Sequence, residues 1–374
     1  MAVLIMVPVM LAAAPARADT VADSWTVMVY MDGDNNVESY ALRDLEELKL
    51  TGSSDNVNYV VLLDTLEGPA DLLYVNEGTT TIIEAWGEVA MDDPATLTEF
   101  IDTVEGLYPA TNYCLDIWDH GGGIAGICWD DTSGMSQCLT MPELRTALVD
   151  ADCVFDSIVL NACVMAQAEV AHQVNGYADY VVFSQQNMYA LGWPYDLVAE
   201  NLNAEPTMDG RAFSLMMVEE YTSYYQAIGY KGVTISVFDM ACLGVLADAV
   251  KDFANSQIAV MGTYQKGFKF ARMDTASASN AADIIGYAEN VIASERISDQ
   301  NVKNAAQAVI YAVDAAIIAE WHSADVEGMN GLGIWFPTKS VTYYWGATYE
   351  ARYRALTWDA ATGWADFLDA YYAK

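Results

Sequence analysis

Residues 113–123 read YCLDIWDHGGG, and residues 155–163 read FDSIVLNAC. Each is a short, nearly continuous apolar run that stops at a polar turn. The first turn carries His120 and the second carries Cys163. Strands that are apolar along their whole length belong to parallel sheets covered on both faces. In such sheets ligands bind beyond the carboxyl ends of the strands. His120 and Cys163 thus hold equivalent positions after two strands, and that equivalence decides how the rest of the chain is read.

Working outward, residues 25–31 (WTVMVYM) and 57–64 (VNYVVLLD) are two more buried strands. Residues 37–50 have helical spacing, with Leu42, Leu45 and Leu48 on one side and acids on the other. Residues 72–75 and 80–86 predict a hairpin about Asn76-Glu77-Gly78. Helices are predicted over 96–107, over 142–150 with Pro142 at an early position, and over 164–174 directly behind Cys163. Residues 180–183 close the series as a strand. This alternation is α/β, a three-layer αβα sandwich with a mostly parallel central sheet, and we assign it to residues 19–205. Residues 206–374 carry predicted helices over 210–228, 241–256, 281–294 and 302–320, with strands over 233–238 and 331–336. They form an α+β region that completes the sheet or packs beside it. No repeat, low-complexity segment or clear linker is visible.

The 374 residues include 52 acidic and 16 basic side chains, a formal charge of −36. That surface repels phosphate backbones and anionic head groups, which excludes nucleic acid as a partner. Residues 1–18 are an apolar run ending in Ala16-Arg17-Ala18, read as a signal peptide cleaved after Ala18. The run is too short for stable membrane insertion, and no later stretch reaches the roughly 18–20 apolar residues needed. The expectation is an extracytoplasmic (secreted or periplasmic) monomer acting on proteins or peptides. Six cysteines in an exported chain can form disulfides. Cys128 and Cys138 bracket a short polar loop and are one candidate pair; Cys114 and Cys153 precede two apolar runs and are another.

A thiol attacks only as thiolate, so its pKa of about 8.5 must be lowered by an imidazole or a helix N-terminus. The helix predicted behind Cys163 supplies the second device, and His120 supplies the first if the two strands are neighbours. The glycines after His120 allow close backbone approach, and the N–H groups of Gly121 and Cys163 are the expected oxyanion hole. Asp119 adjoins His120 but points to the opposite side of the strand end, so it takes no triad role. Taken singly, a cysteine after a strand reads as a core residue and His-Gly-Gly as a turn. The two together favour chemistry. His172 and His322 lack such settings, and no ligand cluster suits zinc. Asp32, Asp34, Asn35 and Asn36 carry part of a calcium-loop pattern, but read as caps of the following helix.

With 27–39 (VMVYMDGDNNVES), 113–123, 155–171 (FDSIVLNACVMAQAEVA) and 184–196 (SQQNMYALGWPYD), and more loosely 331–337 (GLGIWFP), the sequence resembles the clostripain family of cysteine peptidases. That family shares the caspase-like fold with caspases, legumains and gingipains. The resemblance implies acyl transfer through a Cys163 thioester with His120 as acid and base, and no required cofactor. Calcium dependence occurs in part of the family, and Asp130-Asp131 offers carboxylates for it. Clostripain-like enzymes cleave after Arg or Lys, using an aspartate two residues before the nucleophile. Here that residue is Asn161, which puts the basic preference in doubt; Asp196, Ser184 and Gln185 are further candidates for the substrate pocket. Relatives also self-cleave after a basic residue beyond the His strand. Between Ile124 and Glu143 this chain has no Lys or Arg, so cleavage there is absent or follows a non-basic residue. The competing readings are a catalytically silent peptide- or surface-binding relative and a transpeptidase.

Overall fold

The computed structural model describes residues 24–133, 138–338 and 347–373; the expected leader, residues 1–18, lies outside them. The chain runs β1 (Trp25–Gly33), α1 (Glu38–Thr51), β2 (Val57–Thr65), β3 (Gly68–Asn76), β4 (Thr79–Gly87), α2 (Pro94–Leu107) and β5 (Asn112–Trp118). It continues through β6 (Ile127–Trp129), β7 (Cys138–Leu139), α3 (Met141–Ala151), β8 (Phe155–Asn161), α4 (Ala168–Gln173), β9 (Ala178–Phe183), α5 (Tyr195–Ala204) and α6 (Gly210–Ile228). Then follow β10 (Thr234–Asp239), α7 (Leu243–Met273), β11 (Ser277–Ala278), β12 (Ala281–Asp283), α8 (Ile284–Ala293), α9 (Gln300–Ala316) and β13 (Ile317–His322). The last elements are β14 (Gly333–Trp335), α10 (Ala347–Arg354), α11 (Thr357–Thr362) and α12 (Trp364–Tyr372).

One nine-stranded sheet, ordered β13-β10-β9-β8-β5-β1-β2-β3-β4, organises the molecule. Its five central strands, β9, β8, β5, β1 and β2, pair in parallel, and antiparallel strands extend both edges. All nine residues of β1 are buried, as a central strand covered on both faces requires. Alternate residues feed two cores: Met28 and Tyr30 face one, Val27, Val29 and Met31 the other. The first core receives α2, α3, α4, α7, α8, α9 and α12; the second receives α1, α5 and α6. β11, β12 and β14 form a small separate sheet. None of the described helices is long and apolar enough to cross a membrane.

Four expectations change. Residues 317–320 are not the end of a helix: α9 stops at Ala316, and β13 joins the sheet edge beside β10. Leu42 is exposed whereas Asp44 is buried with Ala41, Leu45 and Leu48, so the inward face of α1 is rotated from the predicted one. The helix behind Cys163 begins only at Ala168. None of the six cysteines forms a disulfide. Cys114 lies opposite Ser157, so Cys153 sits four residues back along the neighbouring strand, about 13 Å away at strand rise. Cys138 turns its sulfur to the Ala125 carbonyl at 3.2 Å, while Cys128 is buried in the first core.

Candidate active site

The sheet changes its direction of growth between β1 and β5, since β2 lies on one side of β1 while β5, β8 and β9 lie on the other. A crevice opens beyond the carboxyl ends at such a switch point. β5 and β8 are parallel neighbours, with Trp118 opposite Asn161, and the Asp119 amide donates to the Asn161 carbonyl at 3.3 Å. His120 and Cys163 each lie two residues beyond that registered pair. Both line one cavity of about 130 Å³, together with Trp118, Asp119, Asn161, Tyr189 and Gly192.

Gly121 packs directly on the Cys163 backbone; a Cβ there would collide with the Cys163 carbonyl and amide. Beyond Cys163 the chain does not coil into a helix. Val164 takes a φ of 56°, and residues 164–166 run beside 184–186, the Val164 and Ala166 amides donating to Gln186 and Ser184 carbonyls at 3.0 and 2.9 Å. Cys163 therefore has no helix terminus to stabilise its thiolate. Burial pushes its thiol above the ordinary value, the Asp119 carboxyl adds to this, and the Gly121 amide offsets part of it. Its sulfur lies 3.7 Å from the Met188 carbonyl. Burial likewise lowers the pKa of His120, opposed by Asp131. The resting pair is thus thiol and neutral imidazole.

His120 Nε2 meets Asn36 Oδ1 at 3.0 Å. Asp119 accepts instead from Asn35 Nδ2 at 2.8 Å and from the Trp129 amide at 2.5 Å, so it pins the loops and leaves the imidazole to Asn36. Of the other pocket candidates, only Asn161 lines the cavity. Its Nδ2 donates to Tyr195 Oη at 3.1 Å, and Tyr195 donates to Asp116 at 2.6 Å. Ser184 is bonded to Thr234 at 2.8 Å. Gln185 spans Asp283 at 3.0 Å and the Gly331 amide at 2.7 Å, tying β9 to the later half of the chain. Asp196 opens α5 outside the lining, its carbonyl accepting from Thr51.

Asp44, which sequence reading missed, lies directly behind the cavity-lining Gly192. Its Oδ2 accepts from Trp118 Nε1 at 2.8 Å and stands 2.6 Å from where a Gly192 Cβ would be; Asn161 Nδ2 is 3.5 Å from that point. Its Oδ1 has no partner among the described residues, and burial raises its pKa to about 8. The available signal was helical phase, because Asp44 follows Ala41 by three and precedes Leu48 by four on one stripe.

The chain matches the clostripain family over residues 29–371. Clostripain of Hathewaya histolytica is 31% identical over 229 residues, covering 48% of this chain and 42% of that protein; the match spans less than half of that relative. Among solved structures, a secreted C11 cysteine protease of Bacteroides thetaiotaomicron in complex with an irreversible peptide inhibitor has a TM-score of 0.71 at 22% identity, covering 91% of this chain and 99% of that one. An inactive zymogen C11 protease of Parabacteroides distasonis has the same TM-score and identity, covering 92% and 99%. The layered α/β architecture is the caspase-like one of these structures.

Proposed function

We propose, since the chain belongs to the clostripain family of cysteine peptidases, that it is an exported endopeptidase with Cys163 as nucleophile and His120 as acid and base. The observation that supports this most is the placement of both side chains on one cavity, two residues beyond one registered strand pair. The thiol proton passes to His120 as the thiolate attacks the scissile carbonyl. The Gly121 and Cys163 amides hold the resulting oxyanion. His120 then protonates the departing amine, and water, deprotonated by His120, hydrolyses the thioester and frees the thiol. Asn36 keeps the imidazole facing the cavity, so no acidic orienting residue is required. The expected leader of residues 1–18 takes the chain out of the cytoplasm.

For specificity, Asp44 takes over from the carboxylate that Asn161 lacks. A long basic side chain entering past Gly192 displaces the proton that burial keeps on Asp44, gaining its carboxylate as a partner, and meets an amide oxygen in Asn161. The test is a fluorogenic peptide library varied at the residue before the cleaved bond, with Cys163→Ala as control. Cleavage should vanish in Cys163→Ala, with Arg and Lys preferred in the parent. Asp44→Asn should lower kcat/KM for basic peptides about tenfold or more and leave neutral ones little changed. A neutral preference in the parent would credit Asn161 alone. No cleavage at all would leave a silent binding relative, and products joined to an added amine would reveal a transpeptidase.

A further inference from the structure

We propose that the cleft between the start of β10 and the end of β13 is a second substrate subsite, which takes an aromatic side chain third or fourth before the cleaved bond. Its assignment to substrate rests on the peptidase reading. The sheet sets the order of parts along its active-site rim, because β5, β8, β9, β10 and β13 are successive neighbours. β10 runs antiparallel to β9, with Ser236 opposite Phe183, and β13 antiparallel to β10, with His322 opposite Thr234. The start of β10 and the end of β13 therefore lie on the rim from which His120 and Cys163 project. In order along it stand His120, Cys163, Tyr189, Lys231 and His322.

That order decides which half of the substrate reaches the cleft. His120 protonates the departing amine, so the leaving half lies toward β5. The acyl half runs the other way, over β9 toward β10 and β13. There the cleft has a volume of about 670 Å³ and is lined by Tyr225, Tyr230, Lys231, Trp321, His322 and Asp325. A wall of tyrosines joins it to the catalytic cavity. Tyr189 lines that cavity, its ring centroid lies 4.4 Å from that of Tyr230, and its hydroxyl donates to the Lys231 carbonyl at 2.7 Å. Tyr225 borders the cleft and donates to the carbonyl of Gly192, on the catalytic side, at 2.9 Å. Tyr189 and Tyr230 are both exposed, and Trp321 is half-buried.

Distance and chemistry select the occupant. Neighbouring strands are about 4.8 Å apart, which puts β10 and β13 roughly 10 and 14 Å along the rim from β8. Extended peptide advances about 3.3 Å per residue and its side chains reach farther, so the third or fourth residue before the cleaved bond stands over the cleft. Tyr230 and Trp321 offer ring faces and edges, against which an aromatic side chain buries roughly 150–250 Å². A basic side chain meets Lys231 in the lining and an acidic one meets Asp325, so neither suits the cleft as well.

The test varies the third and fourth positions singly through Phe, Tyr, Trp, Leu, Lys, Glu and Ala. The residue before the cleaved bond is the one the first library selects, or Arg where it selects none. In the parent, kcat/KM for the best aromatic peptide should exceed that for its alanine counterpart about tenfold or more. Tyr230→Ala should largely abolish that ratio and Tyr230→Phe should keep it; Trp321→Leu should lower it independently, with Tm showing which variants fold. The same peptides titrated into Cys163→Ala, which leaves them whole, should bind about tenfold more tightly when aromatic. Cleavage with no preference at either position, or an aromatic preference that survives Tyr230→Ala and Trp321→Leu, would overturn the subsite and leave the peptidase standing. A preference for Lys or Glu would overturn its aromatic chemistry. Aromatic-selective binding by a parent that cleaves nothing would support the cleft and overturn the peptidase; neither cleavage nor binding would overturn both.

Discussion

Cys163 is presented by a turn whose geometry exposes the sulfur to a cavity but does little to ionise it. No helix begins behind it, and burial outweighs the nearby Gly121 amide. In the proposed mechanism its proton leaves for His120 as substrate arrives, since burial also favours the neutral imidazole. Alkylation of the free enzyme by iodoacetamide should therefore keep accelerating through about pH 8.5, the ordinary thiol value, and beyond. A plateau reached below pH 7 would contradict the neutral pair and imply a preformed thiolate–imidazolium. At this scale His120 and Cys163 were legible as candidates because they stand together at equivalent strand ends, although each alone reads as a turn or core residue. Asp44 was not, because a carboxylate on a helix is ordinarily solvated, and only its neighbours Trp118 and Gly192 give it a place beneath the pocket.

Among elements, the stretch from β8 to α4 shows why the placement of Cys163 depends on distant chain. Residues 164–167 are held by main-chain bonds to 184–186 and by a bridge from Gln167 to Gly333. Val164 packs with Ala278 and Met329 from the later half. Gln185 completes this support, joining β9 to Asp283 and Gly331. Gln185→Ala should cost about 1–3 kcal/mol, since it leaves the Gly331 N–H without its acceptor and removes one of the two donors to Asp283 Oδ2. It should leave the preference among peptides unchanged, as the side chain faces away from the cavity. Denaturant unfolding of the variant beside its library profile checks both; an altered preference would return Gln185 to the pocket. The same tertiary contacts explain the shortened α4: its sequence has helical spacing from residue 164, but pairing with 184–186 claims the first turn.

For the whole molecule, the buried acids set a direction for pH. Burial raises the carboxyls of Asp44 to about 8, and of Asp116 and Glu169 to about 7, with hydrogen bonds from Trp118, Tyr195 and Tyr353 offsetting part of each shift. In the unfolded chain such groups titrate near 4. Between about pH 4 and 8 the native state therefore holds protons that the unfolded state releases, and stability falls as pH rises. The net charge of −36 acts in the same direction and is screened by salt. Measured in chelator and high salt, the Tm should decline steadily from pH 5 to pH 8. A Tm that climbs over that range would mean these carboxyls are charged in the native protein.

The sequence by itself determined the fold class and the order of the central elements, and it singled out His120 and Cys163 as the candidate pair. Apolar runs, their punctuation and the scarcity of His and Cys are local signals. Tertiary structure alone decided which side of α1 turns inward, how far the helix lies from Cys163, and that Ala316 ends a helix whose continuation becomes a sheet edge. Those outcomes turn on which strand lies beside which, and in a parallel sheet neighbours are far apart in the chain, so no local pattern encodes the contact.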